Sequence, residues 1–251
     1  MSVTPRLPAA LVEAVAARYR PAGRFAFHFA CGKLARDPVF AGLLAGGLLA
    51  AGSARDRGLD VVDLGCGQAL LAALLSVEAP GAPARPALRR YLGVERMPRD
   101  VARARAGLAG WPGVEVVQGD LRTTVWPQAD LVVVLDVLHY VPPAAQREVL
   151  ERVFASLRDG GRLLLRVGDA GAGWPFLLSQ WVDRCVTFVR GHRAPPVWCR
   201  PLAQWEALLR EIGFTVRAQP MHAGTPFANV LLVADRRPAA PAAGTLDPLL
   251  D

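Results

Sequence analysis

Lysine is almost absent from this chain: of 29 basic residues only Lys33 is a lysine, and the rest are arginine. The arginines are scattered, with no run longer than the pairs Arg89-Arg90 and Arg236-Arg237. Together with the abundance of Ala, Gly and Pro, they read as the coding bias of a GC-rich genome. A nucleic-acid partner is therefore disfavoured despite a net charge of +7 and a pI near 10.0, and the basic surface reads as solvated. Cysteine is scarce too. Cys31, Cys66, Cys185 and Cys199 form no C-x-x-C pair and none stands beside a His at ligand spacing, which excludes the usual zinc motifs and leaves free thiols. No apolar run reaches the roughly 20 residues that a bilayer demands. The longest, Val39–Gly52, has 14 and reads as a core helix. The opening MSVTPRLPAALVEAVAARYR lacks the order of a secretory leader, so a cytoplasmic location is expected. With 52% hydrophobic and 20% charged residues, the chain can build a core and is not globally disordered.

What is present is a helical opening followed by a regular alternation. Leu11, Val12, Val15 and Tyr19 recur at helical spacing until Pro21-Ala22-Gly23 interrupts them, and Arg24–Leu34 reads as a second helix. Asp37-Pro38 is an N-cap followed by proline at the first helical position, opening a third helix predicted over 39–51. Strands are then predicted at 59–64, 91–95, 114–117, 130–137 and 162–167, separated by helical runs. The run Asp130–Val137 is apolar enough for a central strand buried on both faces. The helix opened by Pro142-Pro143 carries Val149, Leu150, Val153, Phe154 and Leu157 on one face and is expected to end at Gly160-Gly161. A helix with Leu202, Trp205, Leu208, Leu209 and Ile212 stops at Gly213, and strands at 214–218 and 229–234 follow. Only about ten residues, Gln219–Ala228, join that last pair, so it should be antiparallel. Five strands alternating with helices imply an α/β fold with a parallel sheet and right-handed crossovers.

The first strand runs into Asp63-Leu64-Gly65-Cys66-Gly67-Gln68-Ala69 and then a helix. Glycines let a backbone turn tightly and approach a ligand. Leu70 stands where a dinucleotide fingerprint needs a third glycine, and no phosphate-loop sequence is present, so neither a pyrophosphate nor a nucleoside triphosphate fits this turn. Carboxylates mark the end of each neighbouring strand: Asp63, Glu95, Asp120 after Gly119, and Asp136. Open α/β sheets bind ligands at that end. Several carboxylates around a ligand without pyrophosphate suit a cationic nucleoside, with Glu95 accepting from ribose hydroxyls and Asp120 from an exocyclic amine.

As an ordered set, Asp63-Leu64-Gly65-Cys66-Gly67, Glu95, Gly119-Asp120 and Asp136-Val137-Leu138-His139 resemble the seven-stranded, Rossmann-like class of S-adenosyl-L-methionine-dependent methyltransferases, over residues 58–236. The resemblance implies a three-layer αβα sandwich with sheet order 3-2-1-4-5-7-6 and strand 7 antiparallel, preceded here by an N-terminal helical lid or extension, 1–57, and followed by a disordered tail, 237–251. It implies that Gly65, Cys66 and Gly67 pass under the methionine part of the cofactor, with Asp63 near its ammonium. Glu95 would hold the ribose, Arg96 and Met97 would flank the adenine, and Asp120 and Leu121 would contact it. Asp136 and Val137 would border the methyl group. Ala69 departs from the pattern, where members often carry another glycine, and a slight shift of the turn is expected.

Displacement at a sulfonium methyl needs alignment and exclusion of water, and a base if the acceptor is a hydroxyl. His139 is the best-placed candidate base, weighed against a structural histidine; Asp169, His192 and His222 are further away in the pattern, and His28 reads as a packing residue. Residues 170–200 carry Trp174, Trp181 and Trp198 and read as a substrate-covering insertion, which suits an aromatic or lipid-like small molecule. Lys33, expected to be solvated, could instead meet a carboxylate. A weaker similarity, through Gly32-Lys33-Leu34 and Asp37-Pro38, is to methyltransferases of bacterial pigment and polyketide-like pathways. A small-molecule O-methyltransferase is the leading expectation, with an acceptor that is free or tethered to an acidic carrier protein and with no metal needed. An RNA or protein methyltransferase and a non-catalytic cofactor-binding scaffold are the alternatives.

Overall fold

The computed structural model describes residues 6–54, 57–170, 197–221 and 229–238. A sheet of seven strands runs in the order β3-β2-β1-β4-β5-β7-β6. The strands are β1 Leu59–Leu64, β2 Leu88–Glu95, β3 Val114–Gln118, β4 Ala129–Leu135, β5 Leu157–Gly168, β6 Thr215–Pro220 and β7 Asn229–Asp235. The first five pair in parallel. β7 runs antiparallel to both β5 and β6, as the short connection requires. Around the sheet lie α1 Ala9–Ala17, α2 Arg24–Arg36, α3 Pro38–Ala45, α4 Leu70–Ser76, α5 Pro98–Gly107, α6 Pro143–Ser156 and α7 Leu202–Ile212.

The two faces of the sheet are built by the alternation of side chains along each strand. Val61 and Val133 join one core with Leu11, Val15, Leu34, Leu43 and the α4 leucines. Val62, Val132 and Val134 join the other with Val149, Leu150, Val153, Trp205 and Leu209. Strands β1 and β4 are buried on both faces, which is why apolar residues stand at successive positions in them, Val61-Val62 in β1 and Leu131–Leu135 in β4. Helices α1–α3 share the first core and so pack directly on the sheet domain.

Two helix ends differ from the sequence expectation. Asp37 does cap α3, accepting the Val39 N–H at 3.0 Å, but the helix stops at Ala45 rather than continuing to residue 51. Gly46 and Gly47 follow, the latter at φ +59°, and two consecutive glycines cost a helix about 1 kcal/mol each. Helix α6 ends at Ser156, four residues before Gly160-Gly161. Leu157 is already extended and pairs with Ala129, because burying its side chain against the sheet outweighs one more helical turn. The glycines serve a bulge instead: β5 advances five positions, from 157 to 162, where β4 advances two, from 129 to 131. Gly160 N–H and Gly161 C=O bond to Arg236 across that bulge.

At the N-terminal edge of the sheet two buried carboxylates are gathered among arginines. Asp60 pairs with Arg57, Arg89, Arg90 and Arg158, and Asp130 with Arg57 and Arg158. Asp130 also accepts the Asp60 N–H at 2.9 Å. The tail beyond residue 238, and residues 171–196 with Trp174, Trp181 and His192, lie outside the described residues, as does His222.

Candidate functional site

The turn after β1 is wound by three left-handed residues, Gly65 at φ +77°, Gly67 at +56° and Ala69 at +54°. Gly65 is required by space as well, since a Cβ there would lie 2.7 Å from a Val137 methyl carbon. Ala69 carries the disfavoured conformation with a side chain, at a cost of about 1–2 kcal/mol. Gly65 N–H donates to Val94 C=O at 2.7 Å, so the turn is laced to β2. Among the described residues, chain neighbours aside, no atom lies within 4 Å of the position a Gly67 Cβ would take, so they leave the turn open on that side.

Glu95 ends β2 and organises the turn. Its Oε2 accepts the Gly67 N–H at 2.9 Å and its Oε1 accepts the Met97 N–H at 2.8 Å. A carboxylate has about four lone-pair positions, so acceptor capacity remains. Asp63 lies beneath the turn, buried, with Oδ2 accepting the Tyr91 hydroxyl at 2.6 Å. Burial pushes its carboxyl up to about 7; the Tyr91 bond pulls it down and the charge of Glu95 adds to the rise. From the N-terminal helices, the buried Tyr19 hydroxyl donates to Gln68 C=O at 2.8 Å.

A cavity of about 250 Å³ opens beside this turn at the C-terminal ends of β1–β4. It brings together six of the expected residues, Gly65, Glu95, Arg96, Asp120, Leu121 and Val137. The others do not line it. Cys66 turns its sulfur against Gly93, and Met97 contributes its N–H to Glu95. Gly67 donates its N–H to Glu95, while Asp63 is beneath the floor. Asp120 is engaged by Arg122, which donates its backbone N–H at 2.9 Å and its guanidinium at 2.6 Å. Those bonds hold the Asp120 carboxyl below its usual range against the opposing effect of burial.

Asp136 follows β4 at φ +57°, a second left-handed residue with a side chain. Its carboxylate is held by Arg166 of β5, Nε to Oδ1 at 2.7 Å with a second bond from Nη2. Arg166 also forks onto Asp37, Nη2 to Oδ2 at 2.8 Å, and Lys33 pairs with Asp37 at 2.6 Å. Lys33 is thus ion-paired and not merely solvated. Burial alone would raise the Asp136 carboxyl, but Arg166 outweighs it and holds it below the usual range.

His139 lies in a 3-10 turn, Leu138–Tyr140, only 8% exposed and off the cavity wall. Its ring packs on Tyr140, with centroids 4.1 Å apart, and its Nε2 has no hydrogen-bond partner among the described residues. Burial pushes its pKa down; Asp136 opposes that and Arg166 adds to it. Asp169 accepts the Leu202 N–H at 3.0 Å and so begins α7.

Sequence reasoning passed over Tyr140 and Gln146, and had Trp198 as part of the insertion read as a substrate cover. Tyr140 and Trp198 line the cavity. Gln146, fully buried, donates to Val141 C=O and Trp198 C=O, each at 2.9 Å, and accepts Arg200 Nε at 2.7 Å. The signal for Gln146 was its place on the apolar stripe of α6 with Val149, Leu150 and Val153, where a polar residue needs partners. Arg166 was legible in the same way, as a charge inside the leucine-rich β5.

A family model described as a methyltransferase domain matches residues 36–219. A carboxy-S-adenosyl-L-methionine synthase of Chromohalobacter salexigens is 34% identical over 111 residues, 43% of this chain and 39% of that protein. Its counterpart in Klebsiella pneumoniae is 29% identical over 110 residues, 42% of each chain. The chain thus spans about two fifths of the length of these curated relatives. Among solved structures, magnesium protoporphyrin IX methyltransferase from Synechocystis PCC 6803 with bound SAH is similar at TM-score 0.54 and 20% identity, over 79% of this chain and 80% of that one. Human N-acetylserotonin methyltransferase in complex with SAM is similar at TM-score 0.55 and 22% identity, over 92% of this chain and 60% of that one. At such identities the structural likeness shows the fold.

Proposed function

The chain belongs to the methyltransferase-domain family, and we propose that it binds S-adenosylmethionine in the cavity beside Gly65 and Glu95 and methylates a small molecule, at an oxygen of an aromatic or polyketide-like acceptor. The observation that carries this reading is Glu95. It lies on the cavity wall, 9% exposed, with both oxygens fixed by backbone N–H groups. A carboxylate held that way is oriented before any ligand arrives and keeps lone pairs for two hydroxyl donors.

The rest of the site fits the same cofactor. The open side of Gly67 leaves room for a chain to pass over the turn. Asp63, raised by burial and paired, among the described residues, through a neutral hydroxyl, would be stabilised as an anion by a nearby cation. Leu121 and Val137 supply apolar wall, and Arg96 and Asp120 its polar rim. S-adenosylmethionine, when bound, supplies an activated methyl group. The chain's own residues would orient it, with Asp63 near the ammonium, Glu95 on the ribose, Arg96, Met97, Asp120 and Leu121 around the adenine, and Asp136 with Val137 at the methyl end. Burial lowers the basicity of His139, so its imidazole is neutral near pH 7 and in the protonation state of a proton acceptor. Its ring would have to reach the cavity past Tyr140 to serve an acceptor hydroxyl.

The Trp198 indole on the cavity wall supports an aromatic acceptor. The basic surface would suit an acidic carrier protein holding that acceptor. The 170–200 insertion as a substrate cover and the N-terminal helices as a lid belong to the same reading. Among the described residues no helix is long and apolar enough to cross a membrane.

Transfer of radiolabelled methyl groups into a cell extract, fractionated into small molecules, RNA and protein, tests the reading. Label in small molecules is expected. Label in RNA or protein would replace the acceptor class, and binding without transfer would make the protein a scaffold. Mass analysis of the recovered cofactor separates methyl transfer from formation of a carboxylated cofactor, the product for which the curated relatives are named.

A further inference from the structure

Strand β5 is apolar around Arg166: Leu163, Leu164, Leu165 and Val167 are buried, and the arginine's own side chain is only 3% exposed. A guanidinium is buried at great cost unless it is paired. This one is paired twice, in two bidentate forks. One fork holds Asp136, whose backbone N–H also donates to Arg166 C=O at 3.3 Å. The other holds Asp37, the residue that caps α3 and receives Lys33 from α2.

Asp136 is held in a backbone conformation that a residue with a Cβ resists. That conformation is what turns the chain so that Val137 presses on Gly65 and forms cavity wall. Arg166 therefore grips, by side chain and by main chain, the residue that sets one wall of the site. Its other hand is on a helix junction that contributes none of the cavity's lining.

We propose that Arg166 is a positioning residue for the methyl transfer described above: it holds Asp136 in the left-handed turn that places Val137 on the cavity wall, and through Asp37 it makes that placement depend on the docking of α2 and α3. The N-terminal helices then govern turnover through this pair of carboxylates and the arginine between them. The effect on turnover rests on the proposed methyltransferase activity; the coupling of Asp37, Arg166 and the turn at 136–140 does not.

Two variants of the full chain separate this from a simple staple. Arg166→Lys keeps the charge and loses both forks. Asp37→Asn keeps the shape and the helix cap and loses the charge. Native-state hydrogen exchange is read at the amides of Asp136 and Tyr140, with those of Val61 and Val62 as internal reference. Exchange at 136 and 140 should quicken about tenfold in Arg166→Lys and about threefold in Asp37→Asn, with the reference amides unchanged. In the radiolabel assay kcat should fall while the apparent KM for S-adenosylmethionine stays within about twofold. Adding Asp136→Gly to Arg166→Lys should slow exchange at Tyr140 again, because glycine adopts the turn unaided.

Unchanged exchange at 136 and 140 in folded variants overturns the proposal, as does a loss of activity that matches the loss of folded protein. If Arg166→Lys does not fold, Asp37→Asn decides by the same amides. If the wild-type protein transfers no methyl group, the functional reading fails alone and the exchange data still judge the coupling.

Discussion

Asp60 and Asp63 stand three residues apart on β1, at opposite ends of the strand and both almost fully buried, yet they titrate in opposite directions. Burial raises both. At Asp60 the hydrogen bonds and charges of Arg90 and Arg89 overcome it, and the carboxyl sits below its usual range. At Asp63 the counterweight is one tyrosine hydroxyl, and the carboxyl is pushed up to about 7. The N-terminal edge of the sheet is thus supplied with cations from its own chain. The C-terminal edge, beside the cavity, holds Asp63 and Glu95, among the described residues, with neutral donors, Tyr91 O–H and two backbone N–H groups. A buried carboxylate left without its own cation is available to one that arrives with a ligand, and a neutralised one is scaffold.

The sharpest way to break this contrast is at the scaffold end. Asp130→Ala takes from Arg57 and Arg158 one of their two carboxylates, leaving them Asp60, and removes the acceptor of the Asp60 N–H. The expected loss of stability is about 3 kcal/mol, the low end for a broken buried pair because both arginines reach solvent. Urea unfolding measures it, and S-adenosylmethionine affinity in the folded fraction should stay unchanged. A matching loss of affinity would mean that the two edges are not separate in function.

Glu95→Ala should do the reverse. Each charge-assisted hydrogen bond to a ribose hydroxyl is worth roughly 1.5–3 kcal/mol, so calorimetry should show affinity falling tenfold or more. The melting temperature should drop less than in Asp130→Ala. A folded variant with wild-type affinity would remove Glu95 from the site.

Asp63 gives the pH dependence. Its carboxyl titrates at 3.8 in the unfolded chain and at about 7 in the folded one, so between those values the folded protein holds the extra proton. The stability it contributes is full below about pH 4 and is lost as pH rises through about 7 in the ligand-free protein. A cationic ligand that favours the ionised form displaces that proton, so affinity should rise about tenfold from pH 6 to pH 8. Asp63→Asn should flatten both curves. Persistence of the affinity curve in that variant would assign the proton to another group.

The smallest effect is expected at Ala69. Glycine there relieves the left-handed strain and gives up a buried methyl and some chain stiffness, for a net gain under about 1 kcal/mol. A slightly raised melting temperature with affinity within twofold is the expected result. A large change in affinity would show that the alanine methyl shapes the turn toward the cofactor.

Much of the scaffold was legible in advance because its signals are local. The β-rich run at 59–64, the apolar run at 130–137, the Asp37-Pro38 start and the Gly213 stop each act within a few residues, and the structure places them accordingly, except that β4 ends at Leu135, before the left-handed Asp136. Sheet order came from the resemblance and is the order found. The site was legible as a row of strand-end acids. Their tasks were not, because Asp120 and Asp136 owe their state to Arg122 and Arg166, and only the first of those partners is near in sequence. The misread glycines at 160–161 have the same origin: a local rule ends a helix there, while the pull of Leu157 into the sheet is nonlocal.

The sequence by itself determined which segments become strands, which strand ends carry carboxylates, and that Gly65 and Gly67 turn the chain after the first strand, since propensity, periodicity and glycine's freedom are properties of short stretches. Tertiary structure alone decided which carboxylates keep a cation and which do not. That depends on pairings such as Arg166 with Asp37, 129 residues apart, and the charge of a buried acid is set by what folding brings within a few ångströms of it.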